Sequence, residues 1–230
     1  MFLKTLLILV LVCTVDALTH YDYENMFFEA AKVDDAAALS LTLQQVTDPN
    51  VVDADGNTAL MWSAWEGHTA NVKALLEAGV GIDLQESDGN TALLKACWSG
   101  KGEVVQALVA AGADVNKKNF YKLSGLMMAS QQGHTHVVRR LLDSGANVKD
   151  IDQGGVTALH KACWTGQIEV VKVLIAAGAN VNAARYDGIT PMALAESSVV
   201  EGRTQETAQT IIKLLTEAGA EPPKKERTDL

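Results

Sequence analysis

Thr157-Ala158-Leu159 is the fourth of five copies of one phrase: Thr58-Ala59-Leu60, Thr91-Ala92-Leu93 and Ser124-Gly125-Leu126 precede it, and Thr190-Pro191-Met192 follows. Successive copies begin 33 residues apart. A fixed period between about 20 and 50 residues marks a stacked array of one supersecondary unit, each unit burying its apolar face against its neighbours. Arrays of this kind offer extended surfaces instead of enclosing catalytic pockets.

Aligned on the Thr, each unit continues with a helical stretch, a Gly at a common offset (Gly67, Gly100, Gly133, Gly166), a second apolar helix and a closing Gly (Gly79, Gly112, Gly145, Gly178). The runs Val104-Val105-Gln106-Ala107-Leu108-Val109 and Val170-Val171-Lys172-Val173-Leu174-Ile175 place one apolar stripe on a helix face, and the glycines suit left-handed helix ends. After the second helix come loops such as Ala113-Asp114-Val115-Asn116 and Ala179-Asn180-Val181-Asn182, then turns carrying Asp88-Gly89 or Asp187-Gly188. In this order, His160, Gly67-His68, Gly133-His134 and Ala111-Gly112-Ala113-Asp114-Val115-Asn116 carry a resemblance to the ankyrin repeat over residues 53 to 219. The fold it implies is all-α: an ankyrin-repeat solenoid of stacked helix-turn-helix units with β-turn fingers.

The expected organisation is a signal peptide at 1–17, an N-terminal segment with a degenerate capping repeat at 18–52, and full repeats at 53–85, 86–118, 119–151 and 152–184. A C-terminal repeat with an insertion follows at 185–219, then a flexible tail at 220–230. The insertion is placed around Ser197 to Thr207, because the fifth unit runs longer from its Thr to its closing Gly than the fourth. The third unit lacks the glycine of its turn and reads Phe120-Tyr121-Lys122-Leu123. Either that turn has another shape, or Lys122 sits at positive φ at a cost of about 1 kcal/mol.

The ends read as addresses. Lys4, the apolar run Leu6 to Val12 and the small-residue pattern Val15-Asp16-Ala17 resemble a secretory signal peptide cleaved after Ala17. The run falls well short of the roughly 20 residues that span a bilayer, so no membrane span is expected after cleavage. The last four residues, Arg227, Thr228, Asp229 and Leu230, resemble a Lys-Asp-Glu-Leu retrieval signal, with Thr228 and Asp229 as departures. The expected location is the secretory pathway, in the endoplasmic reticulum lumen or outside the cell; a cryptic signal would leave a cytoplasmic adaptor.

Composition narrows the function. The 230 residues carry 28 acidic and 19 basic side chains, a net charge of −9 with no basic stripe, which argues against nucleic acid. No Cys-x-x-Cys, His-Glu-x-x-His, phosphate-cradling loop or Gly-x-Ser-x-Gly elbow occurs, so no enzyme, cofactor or metal is expected. His134-Thr135-His136 lacks a third ligand. His160 lies in the tetrapeptide, where the resemblance implies a hydrogen bond to the turn. Cys97 and Cys163 stand two periods apart at equivalent positions, on the order of 20 Å from each other, too far for a disulfide; both read as buried apolar residues.

The expected function is a non-enzymatic scaffold, monomeric, that binds a protein partner. Trp65, Trp98 and Trp164 each stand seven residues after the aligned Thr, with Gln131 in that place in the third unit. One helical turn earlier are Trp62, Lys95, Met128 and Lys161. The turns add Phe120, Tyr121 and Tyr186. The resemblance implies that these positions line a concave partner-binding face, with Lys95 and Lys161 as flanking cations. Packing of each Trp onto a neighbouring helix is the competing reading, and the two are compatible. A chaperone-like or retention factor using the same stripe is the alternative function.

Overall fold

The structure, a computed structural model, describes residues 20–197 and 204–222. The expected signal peptide, the retrieval tetrapeptide and residues 198–203 of the expected insertion lie outside them. Twelve helices occupy the described residues, in two compact units that meet between Phe120 and Tyr121.

The first unit holds α1 (His20–Ala31), α2 (Ala36–Leu43), α3 (Ala59–Glu66), α4 (Thr69–Glu77), α5 (Ala92–Trp98) and α6 (Gly102–Ala110). The second holds α7 (Gly125–Gln132), α8 (Thr135–Asp143), α9 (Ala158–Thr165), α10 (Ile168–Ala176), α11 (Pro191–Glu196) and α12 (Gln205–Glu217). Within each unit, consecutive helices pair, first helices pack on first helices and second helices on second helices. Each unit therefore has two helical layers around its own core.

The recurring phrase has a direct physical meaning. Thr58, Thr91, Ser124, Thr157 and Thr190 are N-caps, each hydroxyl oxygen accepting the N–H three residues on at 3.3 to 3.4 Å. Such a cap stabilises a helix by about 1 kcal/mol. The apolar third residue of each phrase is the first core contact: Leu60, Leu93, Leu126, Leu159 and Met192 are all buried.

The second helices end in a shared device. Val80, Ala113, Ala146, Ala179 and Ala220 each donate N–H to a carbonyl five residues back, across a left-handed glycine. This Schellman closure satisfies carbonyls that the helix end leaves open. Cys97 and Cys163 are buried free thiols, and burial pushes the Cys97 thiol far up, so it behaves as an inert packing group.

Residues 23 to 52 were expected to cap the array, and α1 with α2 forms a helix pair packed on α3 and α4. Polar side chains fasten it at one edge. Asn71 Nδ2 donates to Val33 O at 2.8 Å and Ala30 O at 3.3 Å, and Ser63 donates to Ala31 O at 3.0 Å.

Candidate functional site

Three of the fingers that precede the first helices are organised by a carboxylate at the turn's start. Asp53 Oδ1 accepts the N–H groups of Asp55 at 3.0 Å and Asn57 at 2.8 Å. Glu86 accepts those of Asp88 and Asn90 at 3.1 and 2.9 Å, and Asp152 those of Gly154 and Val156 at 2.8 and 3.0 Å. Partial burial pushes the Asp53 carboxyl up, but the Asn57, Trp62 and Asp55 donors outweigh it and hold it below its ordinary value. Glu86 behaves alike: burial opposes ionisation, while its backbone donors, Asn90 and the nearby Lys95 charge prevail.

These carboxylates also engage the helix position expected to supply binding groups. Nine residues after Asp53, Trp62 donates its indole N–H to Asp53 Oδ2 at 2.8 Å. Nine after Asp152, Lys161 lies 3.5 Å from Asp152 Oδ2. Lys95 takes the same place relative to Glu86, and its Nζ stands 5.9 Å from the Trp65 ring centroid. Lys161 is therefore braced against its own turn, and Lys95 acts on Glu86 through its charge, roles beyond that of flanking cations. Trp62 is half-buried, with Lys32 Nζ 4.6 Å over its ring.

The signal for this brace was present in the sequence. Asp53, Glu86 and Asp152 stand at multiples of the 33-residue spacing, but Asn119 and Arg185 at the same register hide the pattern.

The next position out separates the tryptophans. Trp65 on α3 is 38% exposed and Trp164 on α9 is 41% exposed, whereas Trp98, the last residue of α5, is half-buried. Gln131 on α7 is half-buried. In the first unit the structure thus gathers Trp62, Trp65, Lys95 and Trp98 on first helices, and in the second Gln131, Lys161 and Trp164.

The finger aromatics are open to solvent: Phe120 is 59% exposed, Tyr121 52% and Tyr186 74%. Two of them also pack. A Cβ on Gly89 would fall 2.6 Å from Phe120 Cδ1, and one on Gly155 would fall 3.1 Å from Tyr186 Cδ1. Each ring lies over the glycine of the preceding finger. Backbone bonds join the same fingers: Ser87 N–H to Asp55 O at 3.3 Å and Phe120 N–H to Asp88 O at 3.0 Å in the first unit. In the second, Gln153 N–H donates to Tyr121 O at 3.4 Å and Tyr186 N–H to Gly154 O at 3.2 Å. Lys122 keeps the left-handed shape of the glycine it replaces, with φ +60°, the one positive-φ residue other than glycine among the described residues.

His160 is fully buried and ties two turns together. Its Nδ1 accepts the Thr157 N–H at 3.2 Å, so Nε2 carries the proton and donates to Ile189 O at 3.1 Å in the next finger. Burial lowers its pKa; the Ile189 carbonyl opposes this and the nearby Arg185 charge adds to it, leaving a neutral structural imidazole. His134 and His136 face each other with ring centroids 6.4 Å apart, and no group of three or more His, Cys, Asp and Glu among the described residues is placed to hold a metal.

An open cleft of about 220 Å³ lies on the second unit. Trp164, Val156 and Leu194 give it apolar walls; Gln131, Lys161 and Arg185 supply its exposed polar groups.

The family model described as ankyrin repeats (3 copies) matches the chain over residues 27–119 and again over 120–185. The chain belongs to the ankyrin-repeat family. Its ankyrin fold is similar to the crystal structure of the human ASB11 ankyrin repeat domain, with a TM-score of 0.73 and 30% sequence identity, over 85% of this chain and 84% of that one. No curated protein matches the chain in sequence. Ankyrin arrays are generally non-enzymatic protein-interaction modules. Among the described residues no helix is long and apolar enough to cross a membrane.

Proposed function

We propose that this ankyrin-repeat protein is a binding scaffold of the secretory pathway, which holds a protein partner through exposed aromatics on its first helices and fingers. The observation that carries the reading is the exposure of Trp65 and Trp164. Both stand at one register position, on helices whose Leu60, Met61, Leu159 and Cys163 are buried, and each leaves more than a third of its surface in water. Large exposed aromatics are the residue type that dominates interface energetics. Phe120, Tyr121 and Tyr186 add exposed aromatics on the fingers, and Lys161, paired with Asp152, supplies a cation near Trp164 on the same helix.

The location rests on the two ends of the sequence. A basic residue followed by an apolar run and small residues at 15–17, together with Arg227-Thr228-Asp229-Leu230, supports entry into the endoplasmic reticulum and retention there.

The test compares the full chain with Trp65→Ala/Trp164→Ala in partner capture from a lumenal fraction, with melting measured in parallel. Capture should weaken by about 2 kcal/mol or more, roughly thirtyfold in Kd, with little change in melting. Unchanged capture overturns the binding surface. Deletion of residues 227–230 should release the protein into the medium; a full chain digested by protease outside intact microsomes overturns the location.

A further inference from the structure

The cleft on the second unit is lined by cationic side chains in an acidic chain. The protein carries a net charge of −9, yet the side chains lining this cleft include Lys161 and Arg185 and no carboxylate. The two acids that neutralise these cations are held by their own turns. Asp152 accepts the N–H groups of Gly154 and Val156 through Oδ1, and Asp187 accepts the Ile189 N–H at 3.2 Å through Oδ1 while its Oδ2 takes Arg185 Nη2 at 2.6 Å.

Donors remain over. Lys161 meets Asp152 at 3.5 Å, which leaves an ammonium with three N–H groups incompletely used. Arg185 Nε is buried and makes no hydrogen bond, although the guanidinium side chain keeps 30% of its surface exposed. Because Nε itself is closed to solvent, an acceptor entering the cleft meets the exposed part of the guanidinium. Buried His160, with both ring nitrogens bonded within the fold, adds neither a free acceptor nor a positive charge.

Size and walls narrow the occupant. At about 220 Å³ the cleft is below the roughly 300–1,000 Å³ of small-molecule sites, and it is open, so it suits one side chain of a larger partner. Trp164 and Leu194 would cover an aliphatic stem, while Lys161 and Arg185 would meet its charged end.

We propose that this cleft is a carboxylate-binding subsite, which seats an Asp or Glu side chain from an extended segment of the protein partner between Lys161 and Arg185 and against Trp164. The assignment rests on the protein-binding function proposed above and adds the chemistry of the segment bound. Charge-assisted bonds from a guanidinium to a carboxylate are about twice as strong as neutral ones, so the subsite selects acid over amide.

Two pools of nonapeptides with blocked termini test it. They are identical except for Glu or Gln fixed at the centre, and Asp and Glu are left out of the randomised positions. Passed over the immobilised full chain, the Glu pool should be retained about tenfold more tightly than the Gln pool. Arg185→Gln should abolish that preference while its circular dichroism melt stays near wild type, since the exposed Asp187 pair contributes little. In the wild type the Arg185 Nε–H resonance should shift with a retained Glu peptide and stay in place with its Gln counterpart, a readout that needs no variant.

Equal retention of both pools, or a preference that survives Arg185→Gln, overturns the subsite. Retention that ignores charge but weakens in Trp65→Ala overturns the subsite alone and leaves the binding function standing. Retention of neither pool overturns both.

Discussion

Replacing Lys122 with Gly should stabilise the protein, and the size of the gain can be worked from the fingers. Gly56, Gly89, Gly155 and Gly188 hold the equivalent position at φ +78° to +83°, and Lys122 adopts +60° without a glycine's freedom. A side chain in the left-handed region costs about 1 to 2 kcal/mol. The Lys122 side chain is exposed, so its removal forfeits no core packing. Glycine's greater freedom in the unfolded chain takes back about 0.5 to 1 kcal/mol. The net gain is therefore at most about 1.5 kcal/mol and centred on about 0.8, or roughly 2 to 3 °C in Tm for a chain of this size. Thermal and urea unfolding of Lys122→Gly against wild type measure it. The reverse change, Gly89→Lys, should cost more than 2 kcal/mol, because strain is joined by a Cβ placed 2.6 Å from Phe120 Cδ1 and 2.7 Å from its backbone N. A Lys122→Gly protein that melts lower than wild type, or a Gly89→Lys protein that melts like it, would refute the reasoning. Strain retained beside Tyr121 also suits a binding role, so a stabilised Lys122→Gly protein should capture its partner less well.

Four further outcomes follow from the same geometry. His160→Ala removes the bonds to Thr157 and Ile189 from a fully buried site and should destabilise by about 3 kcal/mol in urea unfolding. Because the folded pKa of His160 lies below its ordinary 6.5, its contribution is complete above that pH and is lost as pH falls toward the lowered folded value; melting from pH 8 to 5 should show this slope in the wild type and less of it in His160→Ala. Asp53→Ala frees the N–H groups of Asp55 and Asn57 and the Trp62 indole, and should cost about 2 kcal/mol, with an altered indole resonance for Trp62. The lowered pKa values of Asp53 and Glu86 place their effect in a different window, present above their ordinary 3.8 and 4.5 and lost as pH falls through the lower folded values.

Most of the fold was legible because cap, core and helix end are local events repeated at one spacing. Thr58 and its counterparts combine a capping hydroxyl with a buried apolar residue two places on, and those two requirements leave little choice of residue. The finger braces were harder to read. Asp53 with Trp62 and Asp152 with Lys161 do one job with different partners, because an indole N–H and an ammonium both satisfy a carboxylate. Register alone also could not grade the tryptophans. Trp98 shares the spacing of Trp65 and Trp164, yet α5 ends at Trp98 and is closed by Ser99, whereas α3 and α9 each run one residue further, to left-handed Gly67 and Gly166. Nor does the sequence reveal that Phe120 and Tyr186 lie over glycines 31 residues earlier, since that contact depends on how successive fingers bond.

The central claim is that the exposed first-helix positions meet the partner, and site-specific photocrosslinking in cells tests it most directly. A benzophenone amino acid is placed singly at Trp65, Trp164 or, as a control, at exposed Lys172 on α10. The account predicts the same discrete adduct from positions 65 and 164 and none from 172. Adducts from 172 alone, or one indiscriminate smear from all three positions, would contradict it.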